Sequence, residues 1–216
     1  MSRAFDLSLY LVTDPRLTGG RDFFETVEAA VKGGASLVQL RDPDAGTREL
    51  VGIARRLKAL LEPYKVPLIV NDRIDVALAA GAEGVHIGQS DMDGEDARRL
   101  IGPDLILGIS VGSAAEHAAS RQALLVADYI GVGPVYATGT KPDAGAAIGP
   151  AGVSAVAGLI DLPAVAIGGI AAGNAGACVE AGAEGVAVVS AIMAAADPQA
   201  AAAALLKEVC EAKERR

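Results

Sequence analysis

Tryptophan is absent from these 216 residues, aromatic side chains of any kind make up 3%, and there are two cysteines and two histidines. So few rings mean that the core has to be built from Val, Ile, Leu and Ala. Cys178 and Cys210 form no CxxC and join no Cys/His cluster, which argues against zinc. Both lie in sequence that reads as helix, where a small thiol is structural. No apolar run reaches the length of a membrane span, and "MSRAFDLSLYLVTD" lacks the long apolar segment of a signal peptide. A soluble, cytoplasmic protein is expected. A surplus of positive charge is missing too. The formal charge of −8 argues against nucleic acid or an anionic membrane as partner. An anionic small molecule would then need a local cationic pocket or a metal.

What the chain does have is glycine, at 26 residues, and a 51% hydrophobic composition. Its apolar runs are short and regular: "SLYLVT" (8–13), "SLVQLR" (36–41), "PLIVND" (67–72), "GVHIG" (84–88), "LILGIS" (105–110), "YIGVG" (129–133), "PAVAIGG" (163–169) and "GVAVVS" (185–190). Between them lie segments of helical period such as "TRELVGIARRLKALLEP". "AGAEGV" introduces two strands, at 80–85 and 181–186, with "GGASLV" at 33–38 as a relative. Each is a helix end with glycine near its cap followed by a strand. Eight strands alternating with about eight helices predict a (β/α)8 TIM barrel, one domain over 1–216. A doubly wound open sheet is the alternative. The terminal "KEVCEAKERR" reads as a helix end with a charged, solvated tip.

In such a barrel the chemistry sits at the carboxyl ends of the strands. The second run ends in Gln39 and Arg41, the third in Asn71 and Asp72, and the fourth leads to Asp91. The fifth ends at Ser110, the seventh at Gly168 and Gly169, and the eighth at Ser190. The sixth runs into "GPVYATGTK" (133–141), which is not a P-loop, because Lys141 is followed by Pro142 and no helix can start there. Its Thr138, Thr140 and Lys141 are instead suited to a monophosphate. Asp72 and Asp91 leave neighbouring strands, where two carboxylates need a shared proton or a cation such as Mg2+. The alternative is that each caps the helix that follows it. Gln39 and Arg41 share one strand face, and Arg41 calls for a phosphate or carboxylate; without a ligand its partner would be Asp72 or Asp42. Arg73 is either a further phosphate ligand or an exposed side chain. His86 is either a buried barrel histidine or a group that orients Asp91 or substrate, and His117 belongs to a polar helix surface.

"VQLRD", "IVNDRIDVAL", "GVHIGQSD", "LGIS", "GPVYATGTK", "IGGI" and "VVSAI" together resemble the thiamine phosphate synthase family, in order and spacing, over essentially the whole chain. The resemblance implies a TIM-barrel transferase that joins a hydroxymethylpyrimidine diphosphate to a thiazole phosphate with release of diphosphate. It implies Mg2+ on Asp72 and Asp91. Gln39, Arg41, Asn71, Ser110 and Lys141 would contact the pyrimidine diphosphate, with Arg41, Lys141 and Ser110 taking part in catalysis. Thr138, Thr140, Gly169, Val189 and Ser190 would hold the thiazole phosphate. Two positions depart from the family's pattern: Pro43 stands where lysine is usual, and Gly112 where histidine is frequent. A paralogous thiazole-phosphate tautomerase, a non-catalytic precursor-binding regulator and a sugar-phosphate epimerase are the rival readings. A homo-oligomer stays open.

Overall fold

Each short apolar run becomes a strand of four or five residues paired with its sequence neighbours. The computed structural model describes residues 5–139 and 145–216. Its strands are β1 (Leu9–Val12), β2 (Leu37–Leu40), β3 (Leu68–Asn71), β4 (Gly84–Ile87), β5 (Ile106–Ser110), β6 (Tyr129–Val132), β7 (Ala164–Ile167) and β8 (Gly185–Val188). All pairs are parallel, in the order β1 to β8, and β8 returns to β1 with Leu9 opposite Val186. The sheet is a closed barrel, so the open-sheet alternative falls away.

Helices α1 (Phe23–Lys32), α2 (Thr47–Leu61), α3 (Ile74–Ala80), α4 (Gly94–Ile101), α5 (Ala114–Ala119), α6 (Arg121–Leu124), α7 (Gly149–Ala157), α8 (Ala175–Glu180), α9 (Ser190–Met193) and α10 (Pro198–Arg215) connect the strands and cover the barrel. Ten are found among the described residues where about eight are expected. The excess comes from the β5–β6 connection, which breaks at the buried Ser120, and from α9, a single turn after β8. Helix α2 shows why the pattern works. Leu50, Ala54, Leu57 and Leu61 are buried, three or four residues apart, so one stripe faces the sheet while the rest stays wet. Helix α1 is started by Asp22, whose carboxylate accepts from Phe24 N and Glu25 N, and has Lys32 in its last turn. The tip of α10 is not simply solvated: Lys213 Nζ donates to Ser8 Oγ at 2.7 Å and Arg215 pairs with Glu180 at 2.9 Å. Among the described residues no helix is long and apolar enough to cross a membrane.

Outward-facing strand residues pack under the helices, and inward-facing ones fill a second, smaller core of Leu7, Tyr10, Val12, Leu37, Ile69, Ile106, Tyr129, Val165 and Ala187. Alternation along the strands sets this division. Two large tyrosines fit inside only because a neighbour is missing a side chain. A Cβ on Gly108 would lie 2.2 Å from Tyr129 Cζ and 2.4 Å from His86 Nδ1. Gly108→Ala should therefore destabilise the protein by about 1–3 kcal/mol through overpacking. Urea unfolding is expected to show a lower midpoint with an unchanged slope; a midpoint equal to the parent's would mean that the interior yields.

Candidate active site

A run of hydrogen bonds crosses the barrel interior. Gln39 Nε2 donates to Tyr10 Oη at 2.7 Å, and Tyr10 Oη lies 2.9 Å from Tyr129 Oη. Tyr129 Oη is 2.9 Å from His86 Nδ1, and His86 Nε2 is 2.9 Å from Ser110 Oγ. Both tyrosines are fully buried, and burial pushes both phenols above their ordinary range, so they stay protonated at neutral pH. His86 is thus a buried barrel histidine bonded to Tyr129 and Ser110. The two ends of the run, Gln39 and Ser110, are two of the residues that the motifs single out.

At the mouth above β1 and β2, one buried carboxylate holds two guanidinium groups. Asp14 follows β1 and has a side-chain exposure of 2%. It accepts from Arg16 Nε at 2.9 Å and Nη2 at 2.6 Å, and Arg41 Nη1 lies 3.6 Å from it. Arg41's partner is therefore Asp14, not Asp72 or Asp42. The hydrogen bond from Arg16 holds the Asp14 carboxyl below the usual carboxylate range, against the opposing effect of its desolvation. Thr13 sets the backbone of Arg41 in place: its hydroxyl donates to Arg41 O and accepts from Arg41 N, both at 3.0 Å. Arg16 reaches further, to 3.9 Å from Asp44 in the loop that contains Pro43.

Asn71 ends β3, and Asp72 turns away from the strand with a left-handed backbone (φ 59) that is uncommon for a residue other than glycine. Asp72 N donates to His86 O on β4, and Asn71 Nδ2 donates to Asp72 Oδ2 at 2.7 Å. Asp72 is not a helix cap. Helix α3 begins at Ile74 behind Arg73 and has no side-chain cap. Nor does Asp91 cap α4; that is done by Asp93, which accepts from Glu95 N. Asp91 Oδ2 instead accepts from Gly88 N at 2.7 Å, which fixes the carboxylate at the end of β4. Asp72 and Asp91 are thus two exposed carboxylates at the ends of adjacent strands, and among the described residues no group of three or more His, Cys, Asp or Glu could hold a metal ion. Arg73 is drawn elsewhere, to Asp75 at 2.6 Å and Thr47 at 2.7 Å.

On the other side of the mouth, the segment after β6 runs alongside the turn after β7. Val135 N donates to Ile167 O and Tyr136 N to Gly168 O, both at 2.9 Å, which brings Thr138 and Gly169 to the same rim. Among the described residues nothing accepts from the backbone N–H groups of Gly169 and Ser190. Val189 precedes α9, and Ser190 opens it. Gly112 has a reason to be glycine, since a Cβ there would sit 2.5 Å from Gly133 O, leaving no room for a side chain. Thr140 and Lys141 lie outside the described residues. Cys178 is buried, and burial pushes its thiol up to about 11, so it is no nucleophile at neutral pH; Cys210 is exposed on α10.

Gln39, Arg41, Asn71, Asp72, Asp91 and Ser110 thus occupy one arc of the mouth, from β2 to β5, and Thr138, Gly169, Val189 and Ser190 the complementary arc from β6 to β8. Sequence reasoning missed Asp14, Tyr10 and Tyr129. Asp14 carries a signal of its own, a carboxylate directly after the first strand; the tyrosines read only as core.

A family model described as thiamine monophosphate synthase matches residues 9–192. A protein of Xanthobacter autotrophicus called thiamine-phosphate synthase is 61% identical over 213 residues, covering 99% of this chain and 100% of its own. A second of that name, from Azorhizobium caulinodans, is 55% identical and is covered end to end, as is this chain. Among solved structures, a thiamine phosphate pyrophosphorylase from Pyrococcus furiosus superposes with a TM-score of 0.85 at 39% identity, covering 95% of this chain and 96% of that one.

The Asp14 cluster gives a pH-dependent expectation. A carboxyl whose pKa is depressed by folding contributes stability above its unfolded pKa and loses it as pH falls through the folded value. Asp14→Asn should cost about 1–3 kcal/mol near neutrality. It should also flatten the fall in stability below pH 4 or so. Unfolding midpoints measured from pH 2 to 7 check both, and parallel curves for the two proteins would remove Asp14 from the account.

Proposed function

Since this chain belongs to the thiamine monophosphate synthase family, we propose that its barrel mouth joins a hydroxymethylpyrimidine diphosphate to a thiazole phosphate, giving thiamine phosphate and free diphosphate. The observation that carries the reading is the division of the mouth into two arcs. One offers a guanidinium, two carboxylates and hydrogen-bonding side chains; the other offers backbone N–H groups and hydroxyls suited to a monophosphate.

The pyrimidine diphosphate binds the β2–β5 arc, with its ring above Gln39 and Ser110 and its diphosphate toward Arg41. The thiazole phosphate binds Thr138, Gly169, Val189 and Ser190, with Thr140, and its ring nitrogen faces the pyrimidine methylene. The methylene–oxygen bond breaks, its electron pair leaves with the diphosphate, and a methylene–nitrogen bond forms. The path is dissociative, because the aminopyrimidine ring can share the positive charge left on the methylene. This chemistry asks for placement and for charge opposite the leaving group, not for a protein nucleophile. Arg41 meets the demand with its guanidinium held in advance by Asp14 and its backbone by Thr13. Lys141 adds a second cation by its place in the motif. Asp72 and Asp91 would hold Mg2+, which when bound neutralises charge on the departing diphosphate. Pro43 leaves one cation fewer than the family's pattern, and Arg16, held on the same carboxylate as Arg41 and close to Asp44 beside Pro43, would take its place. Arg73, engaged by Asp75, is not.

Mixing the purified protein with both precursors should release diphosphate only when both are present with Mg2+. The Asp72→Ala/Asp91→Ala variant should lose activity on the order of 10²–10³-fold, the usual scale for removing an electrostatic stabiliser. Release that persists at the parent rate in that variant, or in the presence of a chelator, would refute the metal assignment. No release by the parent would refute the synthase reading.

A further inference from the structure

The turn after β7 is pinned on both sides of one glycine. Gly168 O accepts from Tyr136 N at 2.9 Å, and in a trans peptide the N–H of the following residue points the opposite way. That N–H belongs to Gly169, and no described residue takes it up. The next peptide plane begins with Gly169 O, which accepts from Asn174 Nδ2 at 3.2 Å. Asn174 Oδ1 accepts in turn from Ala171 N at 2.9 Å. A carbonyl only accepts and a backbone N–H only donates, so the Asn174 amide has one way round. Its backbone is tied as well. Asn174 N donates to Ala171 O at 3.2 Å, and Asn174 O accepts from Tyr136 Oη at 3.2 Å.

Gly169 has the conformational freedom that makes this pinning matter. Its φ of 66 lies in the left-handed region, and a Cβ there would stand 2.7 Å from both Ala137 O and Tyr136 Cβ, so the turn admits glycine alone. With its carbonyl released, such a residue turns about its own backbone bonds, and the ordering of the turn would fall to the ligand. Asn174 does that ordering in advance. A separate support lies further along the loop, where Glu208 on α10 accepts from Gly173 N and Gly176 N, both at 2.8 Å. Those two bonds touch neither peptide plane of Gly169.

We propose that Asn174 is a positioning residue for the phosphate of the thiazole substrate: by pinning the Gly169 carbonyl it keeps the Gly169 N–H aimed. The nitrogen and the oxygen of its amide are both engaged by the turn's own backbone, so it acts through Gly169. The pyrimidine diphosphate, across the mouth on the β2–β5 arc, is indifferent to it. The inference rests on the reading that the β6–β8 arc takes the thiazole phosphate, but not on turnover.

Calorimetric titration of the purified protein with 4-methyl-5-(2-phosphooxyethyl)thiazole and, separately, with the pyrimidine diphosphate tests this. Asn174→Ala is expected to weaken the thiazole phosphate on the order of 10-fold and to leave the pyrimidine diphosphate within about 2-fold of the parent. Glu208→Ala is the control for a loop that is merely loosened, and should keep both affinities within about 2-fold. A third readout needs no variant: in ¹H–¹⁵N spectra of the parent, added thiazole phosphate should shift the Gly169 amide. The proposal is overturned by an unmoved Gly169 amide, by an Asn174→Ala protein that binds thiazole phosphate as the parent does or loses both precursors alike, or by an equal loss in Glu208→Ala. A parent that binds no thiazole phosphate overturns it too. A parent that binds both precursors and releases no diphosphate would sink the synthase reading, and a loss confined to thiazole phosphate in Asn174→Ala would leave this one standing.

Discussion

A polar side chain sealed inside a barrel has to find its partners there, and this requirement shapes the molecule from the inside. Five side chains from β1, β2, β4, β5 and β6 satisfy one another in series, from Gln39 to Ser110. Leaving one member unpaired would cost about 1–3 kcal/mol, comparable to a large fraction of a domain's net stability. The strands therefore cannot slip in register without breaking the run, and the small residue at Gly108 is demanded by the rings beside it. A chain with few aromatics has spent two of its four tyrosines at the centre of its barrel.

The mouth obeys a second rule, that a buried charge needs a partner of opposite sign. Asp14 sits beneath the rim, and its carboxylate is shared by Arg16 and Arg41. The pairing keeps a guanidinium pointed at the mouth of a protein whose net charge is strongly negative. It also means that an arriving phosphate finds the cation in place and does not have to organise it. In the transfer proposed for this mouth, with diphosphate as the leaving group, such prior arrangement is what the chain's own residues would contribute.

Much of this was legible in the residues. Eight short apolar runs between helical segments gave the barrel, and the rule that barrel chemistry gathers at the strand ends led to Gln39, Arg41, Asn71, Asp72, Asp91 and Ser110. What escaped were relations between residues. Asp91 stands two residues from the true cap of α4, Asp93, and spacing alone could not say which carboxylate folded back on Gly88. Arg41 called for a carboxylate, but its partner lies 27 residues earlier, just past the end of the strand beside it. Tyr10 and Tyr129 have the same hydrophobic pattern as any core residue. Only their meeting inside the barrel, 119 positions apart, gives their hydroxyls a role.

The sequence by itself determined the periodicities, and with them the fold, the face on which chemistry would gather and the types of group available there. These are local properties: alternation along a strand, a stripe along a helix, a polar residue where a strand stops. Barrel closure decided the rest. It brought β8 against β1 and gathered five polar side chains from five strands into one hydrogen-bonded run. Hydrogen bonds and ion pairs depend on ångström-scale distances between segments far apart in the chain, and those distances exist only once the sheet has closed.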